Sequence, residues 1–242
     1  MPTDINIEVA GENALIIYFE QRQDKLEIAA IIVLTQQLIR DKLSKEVIDL
    51  IPSYSSILIV FDRFVINYHQ LKEKLKAIVA KVINTQSHST ESTSELNKKI
   101  IELPVYYSLE SGPDLAKIAA QANLTIEQVI ELHQSQRYQV FTIGFAPGFA
   151  YLGNVDARIA TSRLTTPRHQ VPKGSVGIAN NQTAVYPSNS PAGWNIIGLC
   201  PTEMFTVNAS PAMPITIGDT VQFNGISKAE FLALGGVIGS FS

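Results

Sequence analysis

Apolar positions in the first hundred residues alternate between two periods. Ala14–Phe19 is a short run dense in β-branched and aromatic side chains, which predicts a strand. Residues 25–43 then place Ile28, Ile31, Ile32, Leu38 and Ile39 on the three-and-four spacing of a helix face. Glu46–Ile51 predicts a second strand, Pro52, Ser53 and Ser55 a turn, and Ser56–Phe61 a third strand. Residues 68–83 return to helical spacing, with Leu71, Leu75, Ile78, Val79 and Val82 on one side and Lys72, Glu73, Lys76 and Lys81 mainly on the other. The order strand, helix, strand, strand, helix, strand is that of a split βαβ sandwich. Its closing strand, Ile100–Tyr107, can equally belong to the second half of the chain. Between them, residues 84–98 are polar and low in complexity and predict a linker or loop.

The second half has another texture. Two short helices come first. One follows Gly112-Pro113-Asp114, where proline suits a first helical position. The other begins at Thr125, which has capping-box spacing to Gln128; its apolar side is Ile126, Val129, Ile130 and His133. After Tyr138 the helical period stops. The runs QVFTIGF, SVGIA, TAVYP, NIIGL, MFTVN and TVQFN come next, separated by Gly, Pro and Asn. Short strands at close spacing predict an all-β barrel or sandwich.

Composition narrows the class. With 45% apolar and 17% charged residues the chain is globular, and its 242 residues suffice for two modest cores. A net charge of −3 with no basic run argues against nucleic-acid or acidic-membrane partners. No stretch approaches the roughly 20 apolar residues of a membrane span, and the first residues carry acids where a signal peptide carries bases. A cytoplasmic location is expected. The single cysteine, Cys200, excludes an intrachain disulfide and reads as an inert thiol. His69, His88, His133 and His169 show no metal-ligand spacing, and Lys173-Gly174-Ser175 is not a P-loop.

Three segments are candidates for chemistry. In Gly144–Gly153, Phe145, Pro147, Gly148 and Phe149 can wall a ligand pocket or plug a barrel corner. In Thr166–Ser175, two prolines stiffen a loop carrying Arg168, His169 and Lys173. Arg168 offers a planar fork and Lys173 a point charge to a carboxylate or phosphate, or both are solvated loop charges. In the third, Gln182, Tyr186 and Asn195 can hydrogen-bond a ligand, and Trp194 can stack on one or sit in the core.

Taken in order, FTIGFAPGFAYLG and TPRHQVPKGSVGIANNQTAVYPSNSPAGWNIIG resemble the family that contains the B subunit of bacterial ATP-dependent 5-oxoprolinase. That family also holds KipI-type inhibitors of sensor histidine kinases and proteins called allophanate hydrolase subunit 1. YYSLESGPDL, LHQSQRYQV and PITIGDTVQF extend the likeness over nearly the whole chain. The resemblance implies an α+β protein: a ferredoxin-like domain over residues 1–84, a linker over 85–98, and a cyclophilin-like β-barrel over 99–242. It implies partner subunits A and C, ATP as co-substrate of the complex, and opening of 5-oxoproline (pyroglutamate) to L-glutamate. The alternative it leaves is a kinase inhibitor without turnover. Of the candidates, Arg168, Ser175, Gln182, Tyr186 and Trp194 fall on the family's motifs; on chemical grounds Arg168 and Lys173 are the catalytic candidates, and Phe145, Pro147, Gly148, Phe149, Ser175, Gln182, Tyr186, Trp194 and Asn195 the substrate-binding ones. Where the family carries Gly-Gly-Trp, this chain has Ala192-Gly193-Trp194.

Overall fold

A computed structural model describes residues 6–19, 25–87 and 100–242. The chain divides into two compact units, Met1–Asn97 and Lys98–Ser242.

In the first unit, strands β1 (Asn6–Val9), β2 (Ala14–Tyr18), β3 (Val47–Pro52) and β4 (Ser56–Phe61) form an antiparallel sheet in the order β1-β2-β4-β3. Helices α1 (Lys25–Lys42) and α2 (Tyr68–Ser87) supply the apolar faces that cover it. Alternation does the sorting: Ile57, Ile59 and Phe61 of β4 are buried, while Ser56, Leu58 and Val60 between them are half-buried. From the helices, Ile28, Ile31, Ile32 and Ile39 meet Leu71, Leu75, Ile78 and Val79 in one core. β2, α1 and β3 make a crossover with β4 paired between the two strands, which is the split βαβ arrangement.

One strand was not read from the sequence: the outer place beside β2 is taken by β1, an element too short to announce itself, with only Ile7 buried among its four residues. The strand whose place the sequence left open, β5 (Ile100–Val105), pairs in the second unit. The second helix also runs four residues further, to Ser87. The remainder of the expected linker, 88–98, lies outside the described residues.

The second unit is built on a seven-stranded sheet. Its members are β5, β6 (Tyr138–Ile143), β7 (Ala150–Gly153), β9 (Ser175–Ala179), β10 (Gln182–Val185), β12 (Asn195–Leu199) and β13 (Thr220–Gly225), in the order β12-β9-β10-β7-β6-β13-β5. A bridge between Tyr106 and Leu199, with hydrogen bonds of 2.8 and 3.0 Å, links the chain just beyond β5 to β12, so the sheet curls into a nearly closed barrel. Strands β8 (Arg168–Val171) and β11 (Ser190–Ala192) form a separate ribbon. Helices α3 (Leu115–Ala122), α4 (Ile126–Ser135) and α5 (Lys228–Ala233) complete the unit. The capping box of α4 is present: Gln128 N donates to Thr125 Oγ1 at 3.2 Å and Thr125 N to Gln128 Oε1 at 2.9 Å.

α3 starts two residues later than a proline at the first helical position would place it. Asp114 is the cap and Pro113 precedes it. The reason is a close approach: a Cβ on Gly112 would fall 2.3 Å from the Ile197 carbonyl, so only glycine lets this turn lie on β12. MFTVN (204–208) does not form a strand. Only Met204 is buried, Val207 is 77% exposed, and a run with one inward side chain has no sheet face to offer.

Candidate functional site

Two of the three chemical segments meet at the ribbon, but the charged groups are not free. Arg168 lies in β8 and is mostly buried. Its two terminal nitrogens donate to Asp114 Oδ2 at 2.8 Å and Oδ1 at 2.9 Å. Asp114 Oδ2 also accepts from Ile196 N at 2.7 Å. One carboxylate therefore ties the start of α3 to β8 and β12. Arg168 is thus a strand residue and not the loop arginine expected, and two of its five N–H donors are taken by Asp114. Lys173 forms an exposed ion pair with Glu203, and its backbone N donates to Asn189 Oδ1 at 2.8 Å. Exposed pairs of this kind are worth about 1 kcal/mol or less. Lys173→Ala is expected to leave the thermal midpoint of the chain within about 3 °C of wild type; a larger loss in a melting experiment would give this pair a structural weight its exposure does not predict.

Several expected binding residues are internal fasteners. Ser175 is fully buried and donates to the Pro172 carbonyl at 2.6 Å, closing the VPKGS turn. Asn195 is also fully buried. Its Nδ2 donates to the Ser162 carbonyl at 2.8 Å, and its Oδ1 accepts from Lys117 Nζ at 2.9 Å. Gln182 lies in β10, opposite Gly153 of β7 and Ala179 of β9. Gly148 has φ +89°, and a Cβ there would meet the Met204 carbonyl at 2.7 Å, so this glycine serves the turn. Pro147 beside it is exposed. His169 is exposed, and Cys200 is buried, with desolvation pushing its thiol up from its ordinary value. That is the inert reading of the cysteine.

What the segments do bring together is an aromatic cluster. Phe149, Tyr186 and Trp194 are each at most 4% exposed. Their rings meet edge to face: Phe149 to Tyr186 at 5.1 Å, Phe149 to Trp194 at 5.6 Å and Tyr186 to Trp194 at 6.5 Å. Tyr151 joins at 4.9 Å from Phe149. Trp194 is thus a core residue, which decides between the two readings left by the sequence. Phe145 is the exception in the group. It is 65% exposed, has φ +75°, and its ring stands 5.2 Å from Phe149 and 6.4 Å from Tyr186. A positive φ is uncommon outside glycine and costs on the order of 1 kcal/mol or more, so the loop holds this ring out against a local preference.

Sequence reasoning missed Arg163. Its guanidinium carbon lies 5.9 Å from the Trp194 ring centroid. No motif marks it, since it stands alone between Ser162 and Leu164 and becomes visible only when the chain brings it over Trp194. A second missed group is His133, fully buried inside the barrel. Its Nδ1 lies 2.7 Å from Tyr107 Oη and its Nε2 2.9 Å from Thr183 Oγ1, and the ring stacks on Phe223 at 4.7 Å. Desolvation lowers its pKa to about 3. A neutral imidazole sealed in this way is structural.

Other concavities lie elsewhere. An open groove of about 500 Å³ is lined by Glu127, Ile130, Glu131 and Gln134 of α4 with Gln222 and Asn224 of β13, and holds none of the expected site residues. Among the described residues no cluster of three or more His, Cys, Asp or Glu side chains could hold a metal ion, and no helix is long and apolar enough to cross a membrane.

Residues 5–215 match the family described as carboxyltransferase domain, subdomain C and D. The chain is 33% identical over 236 residues to the 5-oxoprolinase B subunit of Bacillus subtilis (strain 168), a match covering 96% of this chain and 98% of that protein. Among solved structures, TTHA0988 superposes with a TM-score of 0.73 at 24% identity, covering 88% of this chain and 40% of that one. The K. lactis urea amidolyase does so with a TM-score of 0.69 at 17% identity, covering 95% of this chain and 15% of that one. Both solved chains are therefore longer, with the present fold as one part, and at these identities the likeness speaks for the fold alone.

Proposed function

We propose, starting from the fact that this chain belongs to the carboxyltransferase family of subdomains C and D, that it is the B subunit of an ATP-dependent 5-oxoprolinase acting with subunits A and C. In that assembly 5-oxoproline is opened to L-glutamate in the cytoplasm while ATP is hydrolysed. The observation that carries the reading is the end-to-end match to the Bacillus subtilis protein. In this reading the first unit is a variant of the ferredoxin-like sandwich and the second a cyclophilin-like barrel.

The geometry supports the part of a contributing subunit. A lactam resists hydrolysis because its amide is resonance-stabilised, and ring opening needs an activated carbonyl and a placed nucleophile. The two cations that the sequence offers to a developing phosphate, Arg168 and Lys173, are each joined to a carboxylate here. In this reading those pairs hold the two cations in the chain on its own, and the phosphate chemistry rests chiefly on the other subunits. What this chain brings in this reading is the exposed Phe145 ring, held in place by a buried aromatic cluster, as an apolar surface against which a small ring can pack.

The test is reconstitution. The purified chain is expected to show no pyroglutamate-dependent ATP hydrolysis. Mixed with subunits A and C from the same source, it is expected to restore glutamate release coupled to phosphate release. Steady turnover by the chain alone, or a three-component mixture whose activity is unchanged when this chain is omitted, overturns the reading. In the second case a sensor histidine kinase becomes the partner to assay.

A further inference from the structure

With Arg168 and Lys173 engaged, the second unit presents one cation directly over its aromatic cluster. Arg163 is exposed, and its guanidinium stands over the Trp194 ring at 5.9 Å. No ion pair to it is found among the described residues, where Arg63, Arg158 and Arg168 all have carboxylate partners. A guanidinium that only stacks on a ring keeps its donor edge free, since stacking uses the face and hydrogen bonding the rim.

Two further observations lie beside it. Tyr186 is 2% exposed and its hydroxyl takes no hydrogen bond among the described residues, and since the oxygen is not one of the buried polar atoms left without a partner, it keeps contact with solvent. Burial raises the Tyr186 phenol above its ordinary value, and the charge of Arg163 is near enough to oppose that rise. Phe145, held out at positive φ, faces Tyr186 from the same cluster at 6.4 Å. The exposed Phe145 ring, a phenol without a protein partner and an unpaired guanidinium thus lie around one aromatic cluster.

We propose that Arg163 and Tyr186 form a binding site for the carboxylate of a small, compact organic acid whose apolar body packs against Phe145. The guanidinium rim supplies the charge-assisted hydrogen bonds, and the Tyr186 hydroxyl adds a neutral donor. The naming of the acid as 5-oxoproline rests on the function proposed above; the carboxylate chemistry does not.

The experiment is a calorimetric titration of the full chain, with no other protein present, using L-pyroglutamate and, separately, 2-pyrrolidinone, the same lactam without the carboxylate. L-Pyroglutamate is expected to bind saturably. Arg163→Gln is expected to weaken it at least tenfold, Tyr186→Phe severalfold, and Arg163→Lys to recover only part of the loss, because an ammonium lacks the fork. 2-Pyrrolidinone is expected not to bind. Arg158→Gln, which breaks the exposed pair with Asp156, serves as the control that leaves affinity unchanged. Arg163 is exposed, so its variants are expected to keep the wild-type melting temperature. Equal binding by wild type and Arg163→Gln, equal binding of the two lactams, or no binding of L-pyroglutamate by the wild type overturns the proposal. A reconstituted complex whose turnover is indifferent to Arg163 would overturn this site while leaving the assigned function intact. Carboxylate binding lost in Arg163→Gln, in a chain that supports no turnover with subunits A and C, would do the reverse.

Discussion

Arg168→Ala is expected to destabilise the second unit by about 2–4 kcal/mol, enough to lower its melting temperature by roughly 5–15 °C. The pair it breaks is largely withdrawn from water, with the Arg168 side chain 20% and the Asp114 side chain 7% exposed. Removing the guanidinium leaves a carboxylate whose remaining partner is the Ile196 amide. Rehydrating it would require α3 to lift away from β12. The figure sits below the full cost of an orphaned buried charge because the arginine keeps some contact with solvent. Arg168→Lys should recover only part, since one ammonium cannot meet both oxygens at 2.8 and 2.9 Å. Thermal and urea melts of Ala, Lys and the double variant Arg168→Ala with Asp114→Asn would test this. The double variant should be more stable than the sum of the single losses predicts, because the unpaired charge is gone. Wild-type stability in Arg168→Ala would make this arginine a free ligand again.

The second large effect is a dependence on pH well above the range where carboxylates titrate. His133 has a folded pKa of about 3, because burial penalises the charged ring, against an ordinary value of 6.5. The unfolded chain therefore binds a proton at His133 that the folded chain refuses. Stability is complete above about pH 6.5 and falls as pH drops towards 3, approaching about 1.4 kcal/mol per unit. Between pH 6.5 and 4.5 the loss should reach between about 2 and 3 kcal/mol. Below that window Glu46 and Glu110, both held low by lysine partners, begin to add their own losses. Urea melts from pH 7 to 4.5 would show the slope. In His133→Gln the slope should vanish over that window, although stability at pH 7 drops because glutamine cannot stack on Phe223 as the ring does. A wild-type profile flat from pH 6.5 to 4.5 would mean that water reaches the ring.

Much of the architecture was readable from periodicity. Ser56–Phe61, SVGIA and NIIGL are strands with the bounds their patterns suggest, and the Thr125 capping box needs only its two residues. Local pattern failed where partners decide. β8 reads as a proline loop until β11 pairs with it, and MFTVN reads as a strand although no strand pairs with it. The candidate site was legible as a region, while the partners of its charged residues were not. The aromatic residues of the GFAPGF and YP segments do assemble, and Phe145 is held open. Arg168 was chosen because its motif is distinctive, but its engagement comes from Asp114, which stands far back in the chain beyond any sequence window. Arg163 was passed over for the same reason in reverse: it has no motif, and only folding places it above Trp194. Distinctive residues mark what the fold needs, while a free side chain is defined by what fails to approach it.

The parallel pairing of β5 with β13 has a consequence for how the chain is made. Ile100 lies against Thr220, and Leu103 against Phe223, so the ladder joins segments from opposite ends of the second unit. During synthesis β5 leaves the ribosome early and waits, with its edge unpaired, until Gly225 has been added. The first unit carries no such delay, since each of its strand pairings joins segments made within a few dozen residues of one another. It can complete its sheet while the barrel is still open. A chain stalled before residue 220 would then carry one finished unit and one exposed apolar strand, the kind of edge that recruits other chains. Protection from a chaperone, or from a waiting partner protein, would matter most over those last residues of the ladder.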